Sequence, residues 1–399
     1  MNVVVIGANY GDEGKGRTVD FLAKAFWGIE DKPSLNVRFS GSNNAAHTVW
    51  KNGKSFVFHI IGAASFYGMP TYLSQHVVVD FVALAKEIAE FEKIAGFKPV
   101  VYVDPRCRVN LPYDVMKNRI KEIMKGADKH GSTGNGLNET IDRHMSYPIT
   151  AGMFEISKSM LQLTQSSFVR YVKKNLKDTD VGPHKDFIDF LLHESSIEFI
   201  YDKVKNIIDE HGQILVVRPD LKNYNCVFEG SQGLALDEYS KFFPYVTRTR
   251  TGTTNVIDLC REHEIEIDAV YYVSRTYFSR HGADKYFEEF PAIADHYNIV
   301  DETNVPNEWQ DGLKFGILNL TEMEERIHDD FKVLQYQCPK IKQYRVFTCL
   351  DQNIGGAGLY IMNNRLHSSS DFEKSMANVY SIGKLKGINL MFFSNKENV

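Results

Sequence analysis

The first seventeen residues constrain this chain more than any other stretch. Asn2-Val3-Val4-Val5-Ile6-Gly7 is an apolar, β-branched run that stops at glycine, and Ala8-Asn9-Tyr10-Gly11-Asp12-Glu13-Gly14-Lys15-Gly16-Arg17 follows with three more glycines, an acid pair and a lysine. This reads as a buried strand feeding a phosphate-cradling loop. From Thr18 the apolar positions Val19, Phe21, Leu22, Ala23, Ala25 and Phe26 recur at helical spacing. The loop therefore sits at a helix N-terminus, where free N–H groups and the macrodipole favour anions. Gly11-x-x-Gly14-Lys15-Gly16 is shorter than the common G-x-x-x-x-G-K-[ST] loop and has no hydroxyl after the lysine. Asp12 is the unusual member, since a carboxylate among anion-binding groups calls for a divalent cation beside it or for work as a base. The plainer alternative is a tight strand-to-helix turn with a solvated acid pair.

The rest of the chain supports an α/β fold with a central, mostly parallel β-sheet flanked by helices. At 399 residues it can bury a large core, and one domain over 1–399 with a largely helical insertion around 150–212 is expected. A net charge of −5 gives no basic field for nucleic acid. Cys107, Cys226, Cys260, Cys338 and Cys349 form no C-x-x-C pair, so neither a zinc site nor a disulfide framework is expected, and reducing cytoplasm is the simplest home. No apolar run approaches about 18 residues and the chain opens directly on strand residues, so neither membrane insertion nor secretion is expected.

Leu35–Phe39 reads as a second strand that delivers the loop Gly41-Ser42-Asn43-Asn44-Ala45-Ala46-His47-Thr48, and Phe56–Ile61 as another strand. Ligands of open parallel sheets bind outside the carboxyl ends of the strands, so the two loops can share a pocket. A helix is expected over Phe81 to about Ala95 and another over Tyr113–Lys125, with a strand at Val100–Val103. Gly131-Ser132-Thr133-Gly134-Asn135-Gly136 offers hydroxyl and N–H donors to a monophosphate, or is a surface turn. The lysine-rich stretch with helical patterns at Phe187–His193 and Ile197–Ile208 is a solvated face with no assigned chemistry. Strands at Leu215–Val217 and Asn225–Phe228 precede Glu229-Gly230-Ser231-Gln232-Gly233, where Gln232 can meet a purine edge or cap its own turn.

Three ordered landmarks carry a family resemblance. Gly11-Asp12-Glu13-Gly14-Lys15-Gly16 after a hydrophobic strand resembles the G-D-E-G-K-G signature of adenylosuccinate synthetases, Gly41–Thr48 resembles their glycine-rich run ending N-A-G-H-T, and Phe228–Gly233 with Pro244-Tyr245-Val246-Thr247 resembles F-E-G-A-Q-G and P-Y-V-T. The resemblance implies a P-loop-like adenylosuccinate synthetase fold and a cytoplasmic homodimeric ligase, in host cytoplasm if the chain is viral. Such a ligase phosphorylates O6 of IMP with GTP and Mg²⁺, and L-aspartate then displaces the phosphate.

By resemblance Asp12 is the base and a metal ligand, His47 stabilises charge on O6, Lys15 neutralises phosphate, and the carbonyl of Ala46 completes the metal shell. Asn44, Ser132, Thr133, Gln232 and Thr247 would hold the purine monophosphate, and Gly14, Lys15, Gly16 and Asp351 the GTP. Cys349-Leu350-Asp351 stands where the family has K-L-D, so the carboxylate that reads guanine is kept, the lysine that covers the base is replaced, and ATP remains open as donor. The family's arginine-rich clamp for aspartate has no counterpart in Asn304–Gly316, which contains only Lys314 as a cation. Arg248, Arg250, Arg275 and Arg280 are the other candidates, with Lys314 and Arg280 taken as the amino-acid contacts. Phage members of the family act on dGMP, and the Gly131–Gly136 and Thr247–Thr251 segments lean toward them, whereas Asp12 favours IMP by crowding a 2-amino group. Two non-ligase readings stand beside these: a nucleotide-binding regulator that has lost ligation, and a structural protein whose glycine loops are only turns.

Overall fold

The structure is a computed structural model that describes residues 1–26, 31–126, 132–176, 179–282, 284–299, 309, 312–353 and 358–394. Among these, nine strands form one sheet in the order Asn389–Phe392, Lys342–Thr348, Ala269–Arg275, Asn2–Gly7, Asn225–Gly233, Ser34–Arg38, Thr71–Leu73, Val101–Val103 and Ile214–Leu215. Every neighbouring pair is parallel. The expected opening strand is thus central, and its residues alternate between two cores. Val3 and Val5 pack with Phe26, Phe81 and Ile88 on one face, while Val4 and Ile6 pack with Val256, Leu259, Ile327 and Phe331 on the other. Coverage on both faces is why the strand reads as an unbroken apolar run. Each such side chain contributes about 1.5–3 kcal/mol on burial.

The first helix, Lys15–Phe26, starts one turn earlier than its apolar periodicity suggests, so Lys15 and Gly16 lie in its opening turn. Helices Phe81–Ala95 and Pro112–Lys125 occur as expected. Lys158–Asn175, Lys185–Leu192 and Ser195–Glu210 form the helical stretch, which sends Phe168, Ile188, Leu191, Ile200 and Val204 into the first core. The strand expected at Leu215–Val217 is only the two-residue edge Ile214–Leu215. No helix among the described residues is long and apolar enough to cross a membrane.

One local difference bears on the site. The strand expected over Phe56–Ile61 is half of a separate antiparallel hairpin, His47–Lys51 with Lys54–Phe58, so His47 begins a strand instead of ending a loop. The reason is the Asn52-Gly53 turn, whose φ values of 53° and 74° supply the two positive φ angles that a two-residue type I′ turn needs. The hairpin is anchored by Glu87, whose buried carboxylate accepts from the backbone N–H groups of His59 at 2.7 Å and Ile60 at 2.8 Å. His59 in turn bonds through Nδ1 to the carbonyl of Ala45 at 2.5 Å, two residues before His47.

Burial pushes Glu87 up to about 7, against the pull of those N–H groups and Arg38. The folded protein therefore holds a proton there that the unfolded chain releases near pH 4.5, and ionisation destabilises the fold as pH rises toward 7. Urea unfolding of the parent and of Glu87→Gln at pH 5, 6 and 8 is expected to show the parent gaining stability relative to the variant as pH falls from about 8 to 5. A pH-independent difference would show that Glu87 keeps an ordinary carboxylate pKa.

Candidate active site

The glycine-rich loop leaves the central strand and is held from both neighbouring strands. Ala8 N donates to Val273 O at 2.8 Å and Ala235 N to Asn9 O at 2.8 Å, while Thr348 Oγ1 donates to Glu13 O at 2.8 Å. Gly233 is required by close approach, because a Cβ there would lie 2.4 Å from Asn9 O. The two acids differ: Asp12 keeps 26% side-chain exposure, whereas Glu13 is turned inward. Glu13 is 3% exposed and accepts from Asn9 N at 2.6 Å, and burial raises its pKa, opposed by Lys15. Lys15 is 1% exposed; its ammonium donates to Gly11 O at 2.5 Å and lies 4.0 Å from Glu13. Burial lowers its pKa, with Glu13, Asp12 and Glu229 opposing.

His47 reaches this loop directly, since a Cβ on Gly16 would sit 3.0 Å from His47 Cβ. Its Nδ1 is 2.5 Å from Glu229 Oε1 and its Nε2 is 3.2 Å from Ser231 O. Burial lowers the ring to about 4, with Glu229 pulling the other way. Two acceptors face the two nitrogens, so a neutral ring that gives its single N–H to Glu229 leaves the Nε2 lone pair against a carbonyl. Glu229 also accepts from Ala63 N at 3.0 Å. Burial alone would raise its pKa, but Arg38, His47 and that N–H together hold it below the usual carboxylate range. Arg38, 2% exposed, is fixed by Ser231 Oγ at 2.7 Å and Ile61 O at 3.2 Å.

The remaining proposed purine contacts converge from three loops. Gln232 Nε2 donates to Asn44 Oδ1 at 3.1 Å, and that oxygen also accepts from Ser42 N at 3.2 Å. Gln232 Oε1 is buried with no partner in this structure. Asn135 Nδ2 reaches Asn43 O at 3.4 Å, which brings the segment of Ser132 and Thr133 against the Asn44 loop; Ser132 Oγ bonds to Asn118 Oδ1 at 3.0 Å. Gly131 lies outside the described residues. Ala46 is exposed beside His47. Thr247 is placed by its backbone N–H on Leu236 O at 2.9 Å, and among the described residues no hydrogen bond links it to Gln232 or Asn44.

Asp351 occupies a 3-10 turn, Leu350–Asn353, directly after the Lys342–Thr348 strand. Cys349 before it is 4% exposed with φ of 62°, and burial pushes its thiol up. The four arginines considered for a carboxylate clamp all face acids: Arg248 pairs with Asp142, Arg250 with Asp237 at 3.2 Å, Arg275 with Asp12 at 2.6 Å and Arg280 with Asp284 at 3.2 Å. Lys314 lies opposite Arg280 on a two-stranded ribbon and is 3.6 Å from Glu289. Most of the Asn304–Gly316 segment, namely 304–308, 310 and 311, lies outside the described residues.

The family model for adenylosuccinate synthetase matches residues 4–304. The chain belongs to the adenylosuccinate synthetase family. Adenylosuccinate synthetases of Ruthia magnifica and Acetivibrio thermocellus are 28% and 29% identical to it over 70% of this chain, and the match spans 62% and 64% of their own lengths. The chain thus spans a little over six-tenths of the length of these curated relatives. Among solved structures, the fully ligated adenylosuccinate synthetase of Plasmodium falciparum superposes with a TM-score of 0.64 at 19% identity, over 88% of this chain and 77% of that one. The succinoaminodeoxyadenylate synthetase of cyanophage S-2L, bound to dGMP and dATP, gives 0.55 at 15% identity over 95% and 98%. These two likenesses establish a shared fold.

Sequence reasoning gave this family member's Glu229 and Arg38 no role, and considered Arg275 only as a substrate clamp. A signal for the first two was present: each is a charge within an apolar strand, a position charged residues occupy when paired. Glu229→Ala is expected to destabilise the protein by about 1–3 kcal/mol for each donor it orphans, because His47 Nδ1 and Ala63 N lose their buried acceptor while Arg38 loses a nearby counter-charge. Glu229→Gln keeps the shape and is expected to lose less. Chemical unfolding of both variants checks this; equal, small losses would show that the buried cluster is not coupled.

Proposed function

We propose that this protein is a purine nucleotide ligase that phosphorylates O6 of IMP with GTP and then lets L-aspartate displace the phosphate, giving adenylosuccinate. One observation carries the reading: the Gly11–Gly16, Gly41–His47 and Glu229–Gly233 segments converge at the carboxyl ends of adjacent parallel strands, with Gly16 against His47, Gly41 against Ser231 and Gly233 against Asn9. A nucleotide held there meets a carboxylate, an imidazole, an amide and a helix N-terminus together.

In this reading Asp12 takes the N1 proton of the purine as O6 becomes the nucleophile toward the γ-phosphoryl group. His47 Nε2 stabilises charge on O6 when it carries a proton; Glu229 at Nδ1 pulls the ring toward that doubly protonated form against burial, and negative charge on a bound phosphoryl group would add to the pull. Gln232, with an unpartnered buried oxygen, and Asn44 hold the purine edge; Ser132 and Thr133 hold its phosphate. Thr247 closes the monophosphate side. Gly14, Lys15 and Gly16 face the triphosphate from the opening turn of the helix. Asp351 reads the guanine.

Magnesium fits the donor chemistry, since a part-exposed carboxylate at Asp12 and the carbonyl of exposed Ala46 leave the other positions to phosphate oxygens and water. Bound there, the ion would neutralise phosphate charge. Lys314 and Arg280 remain the proposed amino-acid contacts; each must exchange its present acid for a substrate carboxylate. The protein is proposed to work as a cytoplasmic homodimer. A second reading, succinylation of dGMP with ATP or GTP, is favoured by the end-to-end length match with the cyanophage enzyme.

Incubation with Mg²⁺, GTP or ATP, each of IMP, dIMP, GMP and dGMP, and L-aspartate, followed by mass spectrometry, is expected to give adenylosuccinate from IMP. An adduct on dGMP alone replaces that substrate with the second reading, and phosphate release without an adduct removes ligation. Asp12→Asn and His47→Ala are each expected to lower turnover by about 10²–10⁴ while the nucleotides still bind. Near-parental turnover in either variant would sink the mechanism.

Asp351→Asn is expected to weaken GTP far more than IMP, because an amide presents a donor where the carboxylate accepted. Equal use of GTP and ATP by the parent would remove this assignment.

A further inference from the structure

Arg275 grips Asp12 at two points. Its Nε donates to the Asp12 carbonyl at 2.6 Å and its Nη2 to Asp12 Oδ2 at 2.6 Å, while Ser279 Oγ donates to the same carbonyl at 3.1 Å. The third edge of the guanidinium is also used, with Nη1 donating to Tyr277 Oη at 2.9 Å; that hydroxyl in turn donates to Gln352 Oε1 at 2.5 Å, next to Asp351 in sequence. Arg275 is 9% exposed and comes from the end of the Ala269–Arg275 strand, so it is delivered by the sheet and not by a loop. This is more than an incidental surface pair: a planar fork fixed on three sides holds a charge against the one carboxylate assigned to metal and base chemistry.

A cation at that distance opposes a second one. Two positive charges within a few ångströms of one carboxylate repel, and the fork already takes Oδ2. We propose that Arg275 is a place-holding counter-cation for Asp12, one that a divalent ion must displace from Oδ2 in order to bind. This inference rests on the reading of Asp12 as a metal ligand. It makes Arg275 a positioning residue whose removal strengthens metal binding, the opposite of what loss of a merely structural arginine would do.

The test is Mn²⁺ alone, without nucleotide, titrated into the parent, Arg275→Gln, Tyr277→Phe and the double variant Arg275→Gln/Asp12→Asn, with free Mn²⁺ read by electron paramagnetic resonance and folding by circular dichroism. Arg275→Gln is expected to bind Mn²⁺ at least about tenfold more tightly than the parent, and the double variant to lose that gain. Tyr277→Phe, which frees only one edge of the fork, is expected to gain about threefold. Equal or weaker Mn²⁺ binding by Arg275→Gln, or a gain that survives removal of Asp12, overturns the proposal. If Arg275→Gln does not fold, Tyr277→Phe decides, and unchanged affinity there overturns it. No turnover is needed, so a parent that shows these shifts but forms no product removes the ligase reading alone. A parent that ligates while Arg275→Gln shows no gain removes this inference alone.

Discussion

The buried cluster of Glu229, His47 and Arg38 is the interaction on which the rest of the site depends. A carboxylate that deep is tolerated only if its charge is answered, and here the answer comes from three places: a guanidinium on the next strand, an imidazole on a separate hairpin and a backbone N–H at Ala63. Each partner belongs to a different segment, so the carboxylate fixes the relative position of all three. His47 faces the glycine-rich loop because of that constraint. The hairpin that carries it shares no backbone ladder with the main sheet and is held by Glu229 at one end and by Glu87 behind its other strand.

The same logic runs through the glycine-rich loop. Its glycines allow neighbouring backbones to come within van der Waals contact, and its charges are turned inward onto one another: Lys15 onto Gly11 O and Glu13, Asp12 onto Arg275. In the proposed reading a phosphate arriving there would exchange with internal partners already in place, which would keep the ordering cost of binding low.

Much of this was legible in the sequence because it is local. The opening strand, the loop and its helix lie within 26 residues and announce themselves by β-branched run, glycine spacing and helical period. The glycine-rich loop and the Asn44–His47 segment could be paired in advance from strand ends alone, and Gly16 does lie against His47. What escaped was set by contacts between distant residues. Arg275 and Asp12 are 263 positions apart, and nothing in the neighbourhood of either distinguishes an internal ion pair from a cation awaiting a substrate carboxylate. The hairpin was different, because Asn52-Gly53 between apolar runs is a local turn signal, and giving it weight would have moved His47 from a loop to a strand.

The place of the first strand in the sheet also has a consequence in time. Asn2–Gly7 lies between Asn225–Gly233 and Ala269–Arg275, so the middle of the sheet is made first and its two partners only after more than half the chain. At about 5–20 residues per second, a ribosome takes on the order of tens of seconds to deliver both partners. Through that interval the four consecutive apolar residues Val3–Ile6 lack both strand partners, and Val4 and Ile6 also lack the later residues Val256, Leu259, Ile327 and Phe331 that cover them, so the nascent chain depends on other means of shielding until the far half emerges.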